Sequence, residues 1–386
     1  MRFLATALIL AALSAWPASS TAQSTVTIDM LLPLTGSAAF AGTTQQAAAR
    51  VYEATINKTG GIHGTPLHFE FHDDQSSPAV AVQLVNELLP KHPIAILGPS
   101  VTATCAAIAP LFVSGGPVNF CFSPSISPTH GGNVFASSIT LHDVEMAMMN
   151  RAKKMGFKRF AELAATDASG QLSLQYIKEW QALPANKDIQ VVDVEAFAPN
   201  DLSVAAQVAK IKAANPDIIY LYAIGTAFGT ALRELNNAGL SNVVMYTTPA
   251  NGSVTQLDTY RAFLPKTLLS SGMPYQGKIT NPAMKAAASE YLDGIRDAGV
   301  KFDPMQAYAW DHIKITISAL RALPAGATAT QLHNYLENLH DFAGLWGVYD
   351  FRTGDQHGID GRDAIYIFYD NAHNAWAPYD GPNAKT

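Results

Sequence analysis

The chain has 386 residues, with 25 Lys and Arg against 31 Asp and Glu and a formal net charge of −6 at pH 7. That balance, without a basic cluster, argues against nucleic acid or an anionic membrane surface as partner. Its two cysteines, Cys105 and Cys121, cannot build a zinc cluster or a Cys-x-x-Cys redox pair, and its length suits two domains of ordinary size.

Met1-Arg2 is a short basic start, and Phe3 to Trp16 is an apolar run of signal-peptide length. Ser20-Thr21-Ala22 fits the small-x-small rule for cleavage, so residues 1–22 are expected to be removed, leaving an exported chain from Gln23. No Cys near that point indicates a lipid anchor, and no later stretch approaches the roughly 18 consecutive apolar residues of a span. In an oxidising compartment a Cys105–Cys121 disulfide is the natural reading, with two buried free thiols as the alternative.

Short β-type runs then alternate with helical segments, the pattern of α/β layering. The strands are expected at Thr27–Leu34, Leu67–Asp73, Ile94–Gly98, Pro117–Phe122, Phe160–Ala165, Ile189–Phe197, Asp217–Ala223, Asn242–Thr247 and Leu268–Met273. Several are apolar on consecutive positions, as strands buried on both faces are. Ser77-Pro78 supplies an N-cap and first-turn proline for a helix over 79–90, whose Val82, Val85 and Leu89 should face a sheet. Asn215-Pro216 stops a helix over Leu202–Ala214, and Asn281-Pro282 starts another. Thr328 and Gln331 read as a capping box for a helix ending near His340. The segment "GVYDFRTGDQHGIDGRDAIYIFYD" reads as two or three strands joined by turns. So many βα units point to two doubly wound lobes with a ligand cleft between them. Crossings between the lobes are expected near Ser138–His142, Gly272–Gly277 and Phe342–Gly347.

No phosphate loop, Gly-x-Gly-x-x-Gly, nucleophile elbow or His-Glu-x-x-His is present. His72 and Asp74 of "FHDD" are the best residual metal ligands and would support a secreted metal-dependent hydrolase. A solvated strand end is the simpler reading. The informative stretch is "ILGPSVTATC", where a strand gives way to a helix. The first turn of a helix presents unpaired N–H groups and partial positive charge. Ser100, Thr102 and Ala103 are small enough to let a carboxylate approach without Arg or Lys, unless the hydroxyls merely cap the helix. Ser37 of "PLTGSAAFAG" and Ser123, Ser125 and Ser127 of "FSPSISP" follow two more strand ends. Ligands bind at the carboxyl ends of strands in such sheets.

"PLTGSAAFAG", "GGIHGTPLHFEFHDDQSSPAVAV", "ILGPSVTATCAAIAP", "FSPSISP" and "GLWGVYDF", in that order behind a signal peptide, resemble the periplasmic solute-binding proteins of ABC importers, in the branched-chain amino-acid binding group. The resemblance implies a type I periplasmic binding fold: α/β, two Rossmann-like lobes joined by a three-strand hinge. It implies lobe 1 from residues 23–140 and 275–343 and lobe 2 from residues 141–274 and 344–386. It also implies no catalysis, no cofactor, no metal, a periplasmic monomer, a small-molecule ligand and a membrane permease as partner.

Carried over by position, Thr102 with Ala103 meets the ligand carboxylate, and Ser125 and Ser127 fall on the pair after the next strand. The second lobe departs from the amino-acid pattern. Ser169 stands where a Tyr precedes a glycine, Ile224 stands in place of another aromatic, and Ala250 stands where an acid meets the ammonium. No acid follows in that loop until Asp258. A buried ammonium without a counter-charge costs several kcal/mol. The expected ligand is therefore a small carboxylate with an apolar body, such as a benzoate or phenylpropanoid derivative, with a branched-chain or other amino acid as the alternative. Phe40, Tyr275 and Trp310 are candidate stacking partners.

Overall fold

The computed structural model describes residues 25–136, 138–361 and 364–379, so the expected signal peptide over residues 1–22 lies outside the described residues. The chain first alternates β1 (Val26–Leu32), α1 (Ala39–Lys58), β2 (Leu67–Asp73), α2 (Pro78–Leu88), β3 (Ala95–Leu97), α3 (Thr102–Ile108), β4 (Val118–Phe120) and β5 (Val134–Phe135). These strands form a parallel sheet in the order β2-β1-β3-β4-β5. Every residue of β3 and Met30 to Leu32 of β1 are buried, as helices covering both faces require.

A second alternation follows: α4 (Leu141–Lys154), β6 (Arg159–Ala165), α5 (Ala168–Ala182), β7 (Gln190–Phe197), α6 (Ala205–Ala214), β8 (Ile218–Tyr222), α7 (Gly225–Asn237), β9 (Val244–Thr247), α8 (Val254–Thr259) and β10 (Leu268–Gly272). The chain continues through α9 (Pro282–Asp297), α10 (Ala307–Ala322), α11 (Ala329–Glu337), the hairpin β11 (Phe342–Ala343) and β12 (Val348–Tyr349), then β13 (Ile365–Asp370) and β14 (Ala375–Pro378). The second sheet runs β14-β13-β10-β9-β8-β6-β7, with every neighbouring pair parallel except β10–β13 and β13–β14, so β13 runs against the rest.

The helices after β10 return to the first sheet. Tyr52 of α1 meets Trp310 of α10 edge-on at 5.1 Å, and Phe135 of β5 meets His333 of α11 at 6.0 Å. Asp311 of α10 then anchors "GLWGVYDF": its Oδ2 accepts from Leu345 N (2.7 Å), Trp346 N (3.1 Å) and Tyr349 Oη (2.8 Å). Residues 342–349 are thus a hairpin held on α10 rather than the expected crossing. The third passage to the second sheet comes later, since Gln356 O still accepts from Ala136 N and His357 Nδ1 lies 2.8 Å from Ser138 O.

Local signals act largely as chemistry dictates. Ser77 caps α2, which begins at Pro78 itself and buries Ala81, Val85 and Leu88, with Val82 and Leu89 at the margin. Asn281 caps α9, accepting from Ala283 N and Met284 N. Thr328 and Gln331 form the capping box of α11, which ends at Glu337, short of His340. Helix α6 starts at Ala205, leaving Leu202 outside it and 90% exposed, and stops at left-handed Asn215.

Candidate functional site

A cavity of about 250 Å³ lies between the two lobes. Its walls are the segments that follow β1, β3 and β4 on one side and β6, β8 and β9 on the other. All of them sit beyond the carboxyl ends of parallel strands, where the chain turns into helices and leaves backbone polar groups unpaired.

The first-lobe wall is built around the turn between β3 and α3. Gly98 adopts φ +85°, and a Cβ there would sit 2.0 Å from Leu31 O, so no other residue fits. The Gly98-Pro99 peptide is cis. Asn119 Nδ2 donates to Ile96 O (2.9 Å) and Gly98 O (2.6 Å), clamping the turn from β4. In α3 the first i→i−4 bond runs from Cys105 N to Val101 O, so the N–H groups of Thr102, Ala103 and Thr104 precede the ladder.

Hydroxyls complete this wall. Thr102 Oγ1 lies 2.9 Å from Ser123 Oγ, which accepts from Ser125 N at 3.2 Å. Ser100 Oγ donates to Gln45 Oε1. Thr104 instead turns back to Val101 O (2.7 Å) and does not line the cavity. Cys105 and Cys121 are joined by a disulfide with Cα atoms 5.9 Å apart, tying α3 to the segment after β4. The loop carrying Ser37 is held by Asp73, which accepts from Leu34 N, Thr35 N and Thr35 Oγ1.

The opposing wall begins at Asp167, the N-cap of α5. Its Oδ1 accepts from Ser169 N (3.1 Å), Ser169 Oγ (2.8 Å) and Gly170 N (2.9 Å), so the Ser169 hydroxyl is committed to the cap. Tyr222 ends β8 with its Oη accepting from Thr248 Oγ1 at 3.2 Å. Asn251 Nδ2 holds the next loop by donating to Ala223 O and Thr247 Oγ1, both at 2.8 Å. At Gly225 (φ +58°) the walls touch: an added Cβ would lie 2.5 Å from Ser37 O. Phe40, Phe122, Ile224, Met305 and Tyr308 supply the apolar surface.

Of the residues singled out from sequence, Ser37, Phe40, Ser100, Thr102, Ala103 and Ser125 line the cavity from the first lobe, and Ser169, Ile224 and Ala250 from the second. Ser127 does not, because the chain beyond Ser125 turns outward and leaves it exposed. Tyr275 does not either: its ring packs edge-on against Tyr291 (5.6 Å) and Phe302 (6.4 Å). Trp310 is core, flanked by Tyr52 and Tyr291.

Sequence reading missed Asp167, Tyr222, Tyr308 and Met305 as lining residues. Asp167 is the only formally charged side chain among the described residues that line the cavity, and none is Lys, Arg or His. An acid therefore stands on the second-lobe wall, supplied by the start of α5 rather than by the loop containing Ala250. The signal for it was an Asp placed three residues before Gly170, where a helix cap belongs.

His72 and Asp74 are drawn apart by other partners. His72 Nε2 lies 2.8 Å from Asp29 Oδ1, while Asp74 Oδ1 accepts from Ser76 N at 2.8 Å. Burial pushes the Asp74 carboxyl up to about 6. Among the described residues no three His, Cys, Asp or Glu side chains gather as a metal would require.

Residues 25–369 match a family described as periplasmic binding protein. A Leu/Ile/Val-binding protein homolog of Brucella melitensis is 24% identical over 231 residues, covering 59% of this chain and 62% of that protein. The chain thus spans about three-fifths of the length of the curated relatives it matches. The fold is shared with an extracellular ligand-binding receptor from Rhodopseudomonas palustris HaA2, at a TM-score of 0.80 and 18% identity over 92% of this chain and 100% of that one. It is also shared with a solute-binding protein of an ABC transporter from Rhodopseudomonas palustris BisB5, solved with 3,4-dihydroxybenzoic acid, at a TM-score of 0.69 and 18% identity over 89% and 92% of the two chains. Two helix-covered sheets facing each other across one cavity, together with a match running from residue 25 to residue 369, place this chain in the periplasmic binding protein family.

Proposed function

We propose that the chain is the periplasmic solute-binding component of an ABC importer, closing by hinge motion on a small carboxylate with an aromatic body. The observation that carries this reading is the first-lobe wall: Ser100, Thr102, Ser123 and Ser125 gathered at a helix start, with no cationic side chain. A carboxylate accepts hydrogen bonds only, and hydroxyls with early-helix N–H groups satisfy it without a counter-ion. The remainder of the cavity, with Phe40, Phe122, Ile224, Met305 and Tyr308, suits a ring. The aromatic-acid complex of the related fold supports the same reading. One chain supplies both walls, so a monomer suffices, with a membrane permease as recipient and no chemical step on the solute.

Asp167 favours a second reading, a branched-chain amino acid, in keeping with the Brucella relative. Its Oδ1 already accepts three hydrogen bonds from its own helix cap, so an ammonium would depend on Oδ2 alone. A partly met ammonium pays much of its desolvation cost, which favours the aromatic acid. Melting curves with benzoate, hydroxybenzoates and phenylpropanoates, set against Leu, Ile and Val, decide between the two. A ligand present at a hundred times its Kd adds about 2.7 kcal/mol to stability. Shifts with aromatic acids alone are expected. Shifts with Leu, Ile or Val alone would replace the ligand class, and no shift with any carboxylate would remove the reading.

A further inference from the structure

The two lobes also meet outside the ligand cavity, between α8 and the turn that leads into α10. Helix α8 stands between β9 and β10 of the second sheet, whereas the turn Pro304–Gln306 packs on α1 and α10 of the first lobe. Asp303 opens that turn and is 4% exposed. Its Oδ1 stays on its own lobe, accepting from Met305 N at 3.0 Å, and Gln306 Oε1 accepts from Asp303 N at 3.0 Å to close a capping box. Its Oδ2 crosses to the other lobe, accepting from Ser253 Oγ at 2.8 Å and from Thr255 N at 3.3 Å. Ser253 is buried and caps α8, its oxygen accepting from Gln256 N at 3.1 Å. The hydroxyl thus takes one proton from its own helix and gives its single proton to Asp303.

We infer that Asp303 is a positioning residue for solute capture: a latch on the first lobe that grips the start of α8, holds the cleft shut and slows release. Each half of the latch is fixed within its own lobe. The capping box orients Asp303, while Gly252 O accepts from Trp376 Nε1 of β14 at 2.8 Å and Asn251 Nδ2 donates to Ala223 O at 2.8 Å. The contact therefore breaks when one lobe moves against the other as a rigid body, and Oδ2 then loses both partners at once. The same movement strips the acceptor from Thr255 N, one of the first-turn N–H groups of α8. Hydrogen bonds to a carboxylate are among the stronger ones, and these are formed by donors already in place. Asp303 and Ser253 do not line the cavity, but Met305, two residues beyond one, and Ala250, three residues before the other, both do. Closing the latch therefore brings two cavity walls into register without touching the solute. The inference rests on the hinge closure of the preceding section and not on its ligand class.

The test reads lobe separation by pulsed electron paramagnetic resonance, with spin labels at Asn86→Cys of α2 and Ala209→Cys of α6, both exposed and on different lobes. Stopped-flow binding of benzoate and of leucine gives the rates. Asp303→Asn keeps the shape but sets an amide N–H against Thr255 N or Met305 N. It should widen the separations and raise the release rate roughly tenfold, with the association rate and the ligand-free melting temperature nearly unchanged. Ser253→Gly removes the hydroxyl while leaving a tolerated helix cap, and should do the same. The double variant should open no further than the stronger single one, since both act on one contact. Separations and release rates equal to wild type in both single variants overturn the inference and leave the solute-binding reading standing. A lowered melting temperature with unchanged separation and release also overturns it, as a purely structural cap. If wild type binds neither benzoate nor leucine, the carboxylate reading falls and the ligand-free separations still decide: wider in the variants supports the latch, equal overturns it. Should Asp303→Asn fail to fold, Ser253→Gly decides by the same readouts.

Discussion

Thr102 has one partner for its hydroxyl, Ser123 Oγ at 2.9 Å, and an open cavity on its other side. Thr102→Val keeps the shape and removes the polar atom, leaving the ligand without that donor and Ser123 Oγ without its Thr102 partner. The expected loss is about 1–3 kcal/mol of carboxylate binding, with the ligand-free melting temperature nearly unchanged. Calorimetric titration reads it, and an unaltered Kd would mean that the carboxylate is seated elsewhere. Its place on the cavity wall was legible in the sequence because a strand end, a glycine turn and a hydroxyl fall in one short run. Ser127 was expected on the same wall but does not line the cavity, because the run "FSPSISP" does not say which of its hydroxyls the chain turns inward. Tyr222 was missed as a lining residue for another reason: β8 is apolar and buried throughout, so no alternation marks the residue that also lines the cavity. Asp167 was hidden behind its role as a cap.

At the scale of elements, α3 is the least self-sufficient part of the site. Seven residues without a side-chain N-cap do not hold a helix in water, so neighbours must hold it in place. Asn119 clamps its entry, and the Cys105–Cys121 disulfide anchors it to the end of β4 across a separation of 16 residues. Closing a loop of that length contributes about 3 kcal/mol in the chain-entropy account. The variant Cys105→Ala/Cys121→Ala should therefore lose about 2–4 kcal/mol in urea unfolding, with weaker ligand binding than its stability alone explains. Identical unfolding midpoints would show that packing alone positions α3. The longer strands were readable to within a residue or two, since apolar runs bounded by Gly, Pro and Asn leave little choice. β5 and β11 were not, because two residues carry no period. The third crossing was misplaced because "GLWGVYDF" is fixed by the buried Asp311, a partner far away in sequence.

The whole molecule carries a pH dependence that neither sheet pattern nor motif announces. Glu145 of α4, just past the first passage between lobes, and Glu162 of β6 are both fully buried. Glu162 Oε1 accepts from Ser173 Oγ at 2.6 Å and Glu145 Oε1 from Tyr246 Oη at 3.4 Å, but no cation pairs with either in these contacts. Burial pushes both carboxyls up to about 8 from an ordinary 4.5. Between those values the folded chain holds protons that the unfolded chain has released, so stability falls as pH rises and levels off above about 8. Asp311 and Asp74, each raised to about 6 by burial, act in the same direction at lower pH. His312 opposes them: burial holds it down to about 3 from 6.5, so it favours the folded state increasingly as pH climbs through that interval. Above about pH 7.5 its contribution is nearly constant, and among the described residues the two glutamates dominate the slope. Calorimetric melting should therefore show a falling transition temperature from about pH 6.5 to 8.5, and the fall should flatten in Glu145→Gln/Glu162→Gln, where the neutral side chains stand in for the protonated acids. A flat wild-type profile across that window, or an equally steep one in the double variant, would mean that these carboxyls are ionised in the folded protein and find their compensation in rearranged neighbours.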